Sequence, residues 1–202
     1  MKKIVLSMLF LVVFSHVSAQ KQEYIDSIKE FQAELNKEFG TKETSVLLDA
    51  DFKNFSGLDF YPIDSTYRVT GSFKRTPNEK PFLMPTTTQR TPEYVKYGEA
   101  TFYLKGKEFT LNFYQNTDTE FQKKYKNYLF LPFTDYTSGN GSYGGGRFID
   151  MRIPESDTVV IDFNKAYNPY CAYNPTRSCP IPPAENDLKI FIKAGVKTFK
   201  SH

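Results

Sequence analysis

The chain has 202 residues, 40% of them hydrophobic and 24% charged, too apolar for a disordered chain and long enough for one core to bury roughly 70% of the unfolded surface. Such a core needs neither a metal nor a disulfide, so a cysteine pair would be a supplement. The 26 Lys and Arg against 23 Asp and Glu leave a net charge of +3, a near-balance that argues against electrostatic capture of nucleic acid or of an anionic membrane.

Met1 to Ala19 reads as an export leader: Lys2 and Lys3, an apolar run from Ile4 to Phe14, then Val17-Ser18-Ala19 at a cleavage site. This predicts a mature chain beginning at Gln20, exported to the periplasm or the medium, with residues 20–202 as a single domain. The run is shorter than the roughly 18 to 20 residues a bilayer span needs, and nothing later approaches one, so no transmembrane span is expected. Removing the leader takes two lysines and no acid, leaving 24 positive against 23 negative groups, and takes His16 as well. The remaining histidine is His202, which excludes histidine-centred triads, two-histidine zinc sites and histidine-ligated haem. Any catalytic acid or base must be carboxylate, tyrosine, lysine or cysteine. No cofactor and no metal site is expected.

From Gln20 to Gly40, apolar Tyr24, Ile25, Ile28, Phe31, Leu35 and Phe39 recur three and four apart among lysines and glutamates, predicting one amphipathic helix. Residues 41–66 are turn-rich. From Tyr67 the period becomes two, with strand-like runs at 67–74, 81–88, 94–104, 108–115, 128–133, 147–153, 158–163 and 188–193. Lys105-Gly106 between two β-prone runs marks a tight hairpin. The expected fold is mostly β: an antiparallel barrel or sandwich-like sheet with one N-terminal amphipathic helix.

The most informative stretch reads Asp135-Tyr-Thr-Ser-Gly139, Tyr143-Gly-Gly-Gly-Arg147, Asp162-Phe-Asn-Lys-Ala-Tyr-Asn-Pro-Tyr-Cys-Ala-Tyr173 and Cys179-Pro-Ile-Pro-Pro-Ala-Glu-Asn186, with Tyr61-Pro-Ile-Asp64 upstream. It resembles a bacterial family known as domain of unknown function 1684, over residues 61–199. That family brings no established activity, so the resemblance implies a kind of protein and no reaction.

Gly139 to Gly144 spells G-x-G-x-x-G, but a strand-like run follows where a dinucleotide fingerprint needs a helix. Two readings remain: a glycine-rich connection between strands, or an anion nest in which the amides of Gly144, Gly145 and Gly146 converge and Arg147 adds a forked charge. Ser138, Tyr143, Asn164, Tyr167 and Asn168 complete that candidate ligand site. Asp135 and Asp162, each near a strand end, are candidate acid and base for a hydrolase. Equally, Asp135 can cap its turn and Asp162 can pair with Arg147. Cys171 and Cys179 are the only cysteines; in an oxidising compartment they predict a disulfide, with a redox pair as the alternative. Tyr136, Tyr143, Tyr167, Tyr170 and Tyr173 either make a stacking surface for a sugar or peptide or roof one barrel end. The leading expectation is an exported module that binds a small anionic or carbohydrate ligand or is purely structural. The alternatives are a carboxylate-dependent hydrolase using Asp135 and Asp162 with Arg147, or an envelope protein-protein interaction subunit.

Overall fold

A computed structural model describes residues 2–200, with side chains from Ala19 onward. The leader expected over residues 1–19 lies, but for Ala19, outside the described side chains, and His202 lies outside the described residues. The predicted helix belongs to α1 (Lys2–Gly40). Its apolar stripe is turned inward, with Ile28 and Phe39 buried, and its end is closed by two threonines. Thr41 Oγ1 donates to the Lys37 carbonyl and Thr44 Oγ1 to that of Glu38, both at 2.7 Å, satisfying acceptors that a helix end leaves open.

Eight strands follow: β1 (Arg68–Arg75), β2 (Phe82–Leu83), β3 (Glu93–Leu104), β4 (Lys107–Asn116), β5 (Tyr128–Asp135), β6 (Arg147–Arg152), β7 (Thr158–Asp162) and β8 (Asp187–Leu188). Their order is β6-β5-β4-β3-β1-β7, with β2 on β3 and β8 on β5. All pairings are antiparallel except β5 with β8. The sheet curls into a half-barrel, and β6 and β7 are its two ends. The β3–β4 hairpin turns where expected: Lys105 (φ 50°) and Gly106 (φ 76°) are the two left-handed residues that a two-residue turn between twisted strands requires. At Gly98, beside the register shift in β3, a Cβ would stand 2.5 Å from the Phe73 ring, so the close approach of β1 and β3 there depends on glycine.

The concave face is filled by Phe73, Phe102, Leu111, Phe113, Leu131, Phe133, Ile149 and Ile161 among others. Each such side chain contributes about 1.5 to 3 kcal/mol by leaving water. The convex face carries a second cluster of Met84, Tyr94, Tyr114, Phe130 and Phe148. A third, Phe39, Val46, Leu47, Leu58, Tyr173 and Val196, fixes the end of α1 to the C-terminal segment.

Three expectations change. The run at 81–88 forms a strand only at Phe82 and Leu83, with Thr86 in an isolated bridge to Pro180, since Pro81 and Pro85 remove backbone donors on either side. The run at 188–193 contributes only Leu188 to the two-residue parallel strand β8, and its Ile192 carbonyl instead meets an arginine. Two short helices were not anticipated, α2 (Asp49–Phe52) and α3 (Thr119–Lys124); the second starts at Asp118, whose carboxylate accepts the Phe121 N–H at 2.7 Å.

Candidate functional site

The loop 136–146 joins the adjacent ends of β5 and β6, bringing Asp135 and Arg147 together inside the molecule. The Arg147 side chain is fully buried. Its Nη2 donates to Asp135 Oδ2 at 2.8 Å, to the Ile192 carbonyl at 2.9 Å and to Thr137 Oγ1 at 3.2 Å, and Nη1 donates to the Ala194 carbonyl. Asp135 Oδ1 accepts from the amides of Thr137 (2.6 Å) and Ile192 (3.3 Å). Gly146 permits the turn into this geometry: its φ is +88°, and a Cβ would stand 2.6 Å from the Phe133 carbonyl oxygen. The forked charge expected to hold an anion is therefore spent on the C-terminal segment, and the nest reading loses its guanidinium.

Asp162 and Asn164 form a separate knot. Asp162 Oδ1 accepts from the Asn164 amide (3.0 Å) and the Tyr24 hydroxyl (3.1 Å). Asn164 Oδ1 accepts the Asp64 N–H at 3.0 Å while its Nδ2 donates to the Asp64 carbonyl at 2.9 Å and to the Tyr24 hydroxyl at 2.9 Å. Burial and the Asp162 carboxylate push the Tyr24 hydroxyl up, keeping it a donor. Asp162 lines an open groove of about 410 Å³ between β6 and β7, whereas Asp135 sits under the glycine loop. Asp135 and Asp162 share no cavity and do not pair with each other, so they are not placed as an acid and base across one bond; nor does Asp162 pair with Arg147.

Ser142, Tyr143, Gly144 and Gly145 border an open cavity of about 630 Å³ with Phe199 and Lys200. Lys200 is paired with Asp51. Ser138 takes no part in it; its Oγ accepts the Asp135 amide at 3.2 Å. Burial, then the neighbouring Cys171, pushes the Tyr143 hydroxyl up to about 12, and that hydroxyl lies 3.7 Å from Cys171 Sγ. Cys171 and Cys179 are adjacent free thiols, the Cys171 amide lying 3.0 Å from Cys179 Sγ. Hydrogen bonding from Cys179 draws the Cys171 thiol down to about 6.

An aromatic cavity lies on the convex side of the sheet. A cavity of about 520 Å³ is walled by outward residues of β5 and β6, by α1, by α3 and by residues 167–180. Its rings interlock: Phe130 and Phe148 meet edge to face with centroids 4.7 Å apart, and Phe148 meets Tyr167 at 6.1 Å and 88°. Such edge-to-face pairs pack the wall closely, Phe130 and Phe148 being 4% and 5% exposed. Asp150 of β6 also stands in this wall. Its Oδ1 accepts from the Tyr128 hydroxyl at 2.7 Å and the Tyr167 hydroxyl at 2.6 Å, and no described residue occupies Oδ2. Burial, then Asp150, raises both tyrosine hydroxyls far above their usual range, so both remain donors. Asn168 is 1% exposed; its Nδ2 donates to the Lys197 carbonyl at 2.8 Å, and its Oδ1 has no donor.

Of the residues singled out by sequence, Tyr167, Asn168, Tyr170, Tyr173 and Cys179 line this cavity and Tyr143, Gly144 and Gly145 line the glycine cavity, while Asp135, Gly146, Arg147 and Asn164 are buried structural ties. Sequence reasoning missed Asp150, Tyr128 and Tyr94. A signal existed: in β6 the alternation Arg147, Ile149, Met151 against Phe148, Asp150, Arg152 places the arginine on the core face and the aspartate with Phe148 outside. Among the described residues no three His, Cys, Asp or Glu side chains are placed to hold a metal ion, and no helix is long and apolar enough to cross a membrane.

The molecule is an open antiparallel half-barrel whose cavity lies outside the barrel, under a helix. Residues 53–197 match the family model described as protein of unknown function DUF1684, and the chain belongs to that family. It is also similar to the solution NMR structure of an uncharacterized protein from Haloarcula marismortui, with a TM-score of 0.70 and 28% identity over 91% of this chain and 99% of that one. No curated protein matches.

Proposed function

We propose that the protein is a binding module without catalysis, whose ligand is a small organic molecule of the carbohydrate type, with a flat apolar face and hydrogen-bond donors. The carrying observation is Asp150 at the wall of an aromatic cavity, oriented through one oxygen by Tyr128 and Tyr167 with the other oxygen unclaimed. Rings supply stacking area at low entropic cost, and an oriented carboxylate fixes a donor-bearing ligand. The separation of Asp135 from Asp162 weighs against the hydrolase reading.

The test is to isolate the protein without denaturation from its native host and to search by mass spectrometry for a molecule released on unfolding. Calorimetric titration with mono- and disaccharides accompanies it. A retained or titrated ligand whose binding falls at least about tenfold in Asp150→Ala supports the reading; no retained molecule and no binding at millimolar concentration overturns it. We also propose that the chain is exported and begins at Gln20 after cleavage. The leader's basic start, short apolar run and small cleavage residues support this. N-terminal sequencing of protein from cell fractions checks it: an intact Met1 in the cytoplasm would refute export.

A further inference from the structure

The charges around the aromatic cavity are one-sided. Glu34 and Glu38 of α1 face it from the helix, and Asp150 faces it from the sheet, against a single guanidinium, Arg90. Arg90 is exposed and is held on Ser178, itself a lining residue, with Nε 3.3 Å from its hydroxyl and Nη2 3.4 Å from its carbonyl. Glu38 accepts the Tyr170 hydroxyl at 2.6 Å. Two more cations stand nearby, Arg152 5.8 Å from the Tyr128 ring centroid and Lys165 5.9 Å from that of Phe31; both line the neighbouring groove, whose wall Asp150 shares. The wall also includes Tyr94, Tyr167 and Phe148, and an aromatic ring carries partial negative charge on its face, which attracts a cation as the carboxylates do.

We propose that the ligand of this cavity is an organic ammonium, carried on a sugar or a similarly small body, with Glu34, Glu38 and Asp150 as its counter-charges and the aromatic wall as its bed. The inference rests on the cavity being a binding site and adds the ligand's charge class. An anion would meet three carboxylates, whereas an ammonium replaces lost hydration with fixed acceptors and ring faces. A neutral sugar would gain the stacking but not the charge attraction.

Matched pairs differing only in charge provide the test, titrated calorimetrically into the full mature chain: glucosamine against glucose, and choline against 3,3-dimethylbutan-1-ol. The expected result is a preference of about tenfold or more for the charged member of at least one pair at low salt, shrinking as salt is added. In the double variant Glu34→Gln/Glu38→Gln, with its fold checked by circular dichroism, that preference should fall severalfold. Equal or tighter binding of the neutral members overturns the charge inference and leaves the binding module standing. Full retention of the preference in the double variant also overturns it, since the helix carboxylates would then not be its source. Binding of no member of either pair counts against the cavity as a binding site and overturns both.

Discussion

The side chain of Asn186 holds the backbone of Asn112 as a neighbouring strand would: its Oδ1 accepts the Asn112 N–H at 2.8 Å and its Nδ2 donates to the Asn112 carbonyl at 2.9 Å. The same Nδ2 reaches the Pro132 carbonyl at 2.7 Å. Between β4 and β5 only Tyr114 and Phe130 are in register, and Pro132 has no N–H to offer, so the amide of Asn186 spans a place where a ladder cannot form. Replacing it strands three buried backbone groups. Asn186→Ala should therefore cost about 3 kcal/mol, and Asn186→Asp more, because a carboxylate would face two carbonyls. Urea denaturation measures both; a loss under about 1 kcal/mol for Asn186→Ala would show that the strands close without it.

Arg147→Ala should cost about 3 to 5 kcal/mol, since it leaves the Asp135 carboxylate buried without its partner. Converting the pair together, Arg147→Met with Asp135→Leu, should cost less than the sum of the two single changes, because no buried charge then remains, although the Ile192 and Ala194 carbonyls and the Thr137 and Ile192 amides lose their partners. Denaturation of the three variants reads this out. A double variant weaker than the sum of the singles would contradict it.

Tyr128, Tyr167 and Tyr173 have hydroxyls raised above the ordinary value of 10.0, chiefly by burial. An acid whose folded value lies above its unfolded one contributes stability that is intact below about pH 10 and lost as the pH rises above it. Absorbance at 295 nm should show the exposed tyrosines ionising first, with these three appearing only when the protein unfolds in alkali. Smooth ionisation of all 14 tyrosines near pH 10 in folded protein would refute the assignment.

In protein taken from an oxidising compartment, Cys171 and Cys179 should be joined, closing a nine-residue loop worth about 2.5 kcal/mol of chain entropy. Non-reducing peptide mapping checks the bond, and a melting temperature that falls on adding reductant checks its contribution. Two freely alkylated thiols in freshly isolated exported protein would favour the redox reading.

Where local chemistry decided the outcome, the sequence was legible. Lys105-Gly106 announced the hairpin, and alternation from Val69 to Phe73 announced β1. The strands lost at 81–88 and 188–193 had the right residue types but keep only short or isolated pairings. The cavity was illegible for a different reason. Tyr128, Phe130, Phe148 and Asp150 alternate as an ordinary outer face would, and nothing local says that a helix about a hundred residues away in the chain covers them. Arg147 was misjudged because it was read with the glycines before it; its partners follow from its sharing a face with Ile149 and Met151.

The matched family region begins at residue 53, whereas α1, which brings Phe31, Glu34 and Glu38 to the cavity, precedes it. The sheet and its loops keep Asp150, Tyr167 and Asn168 in place through contacts internal to residues 53–197. The helix is fastened at a few points: the Tyr24 hydroxyl on Asp162, Asn36 Oδ1 on the Leu58 amide at 2.8 Å, and Phe39 against Tyr173 with ring centroids 4.5 Å apart. Its cavity-facing positions Phe31 and Glu34 are separate from these anchors, whereas Leu35, Glu38 and Phe39 serve both. The binding surface thus divides into a fixed part and an exchangeable one. Substitutions at 31 and 34 can alter what the molecule holds while the folding of the barrel, which depends on other residues, goes on unchanged.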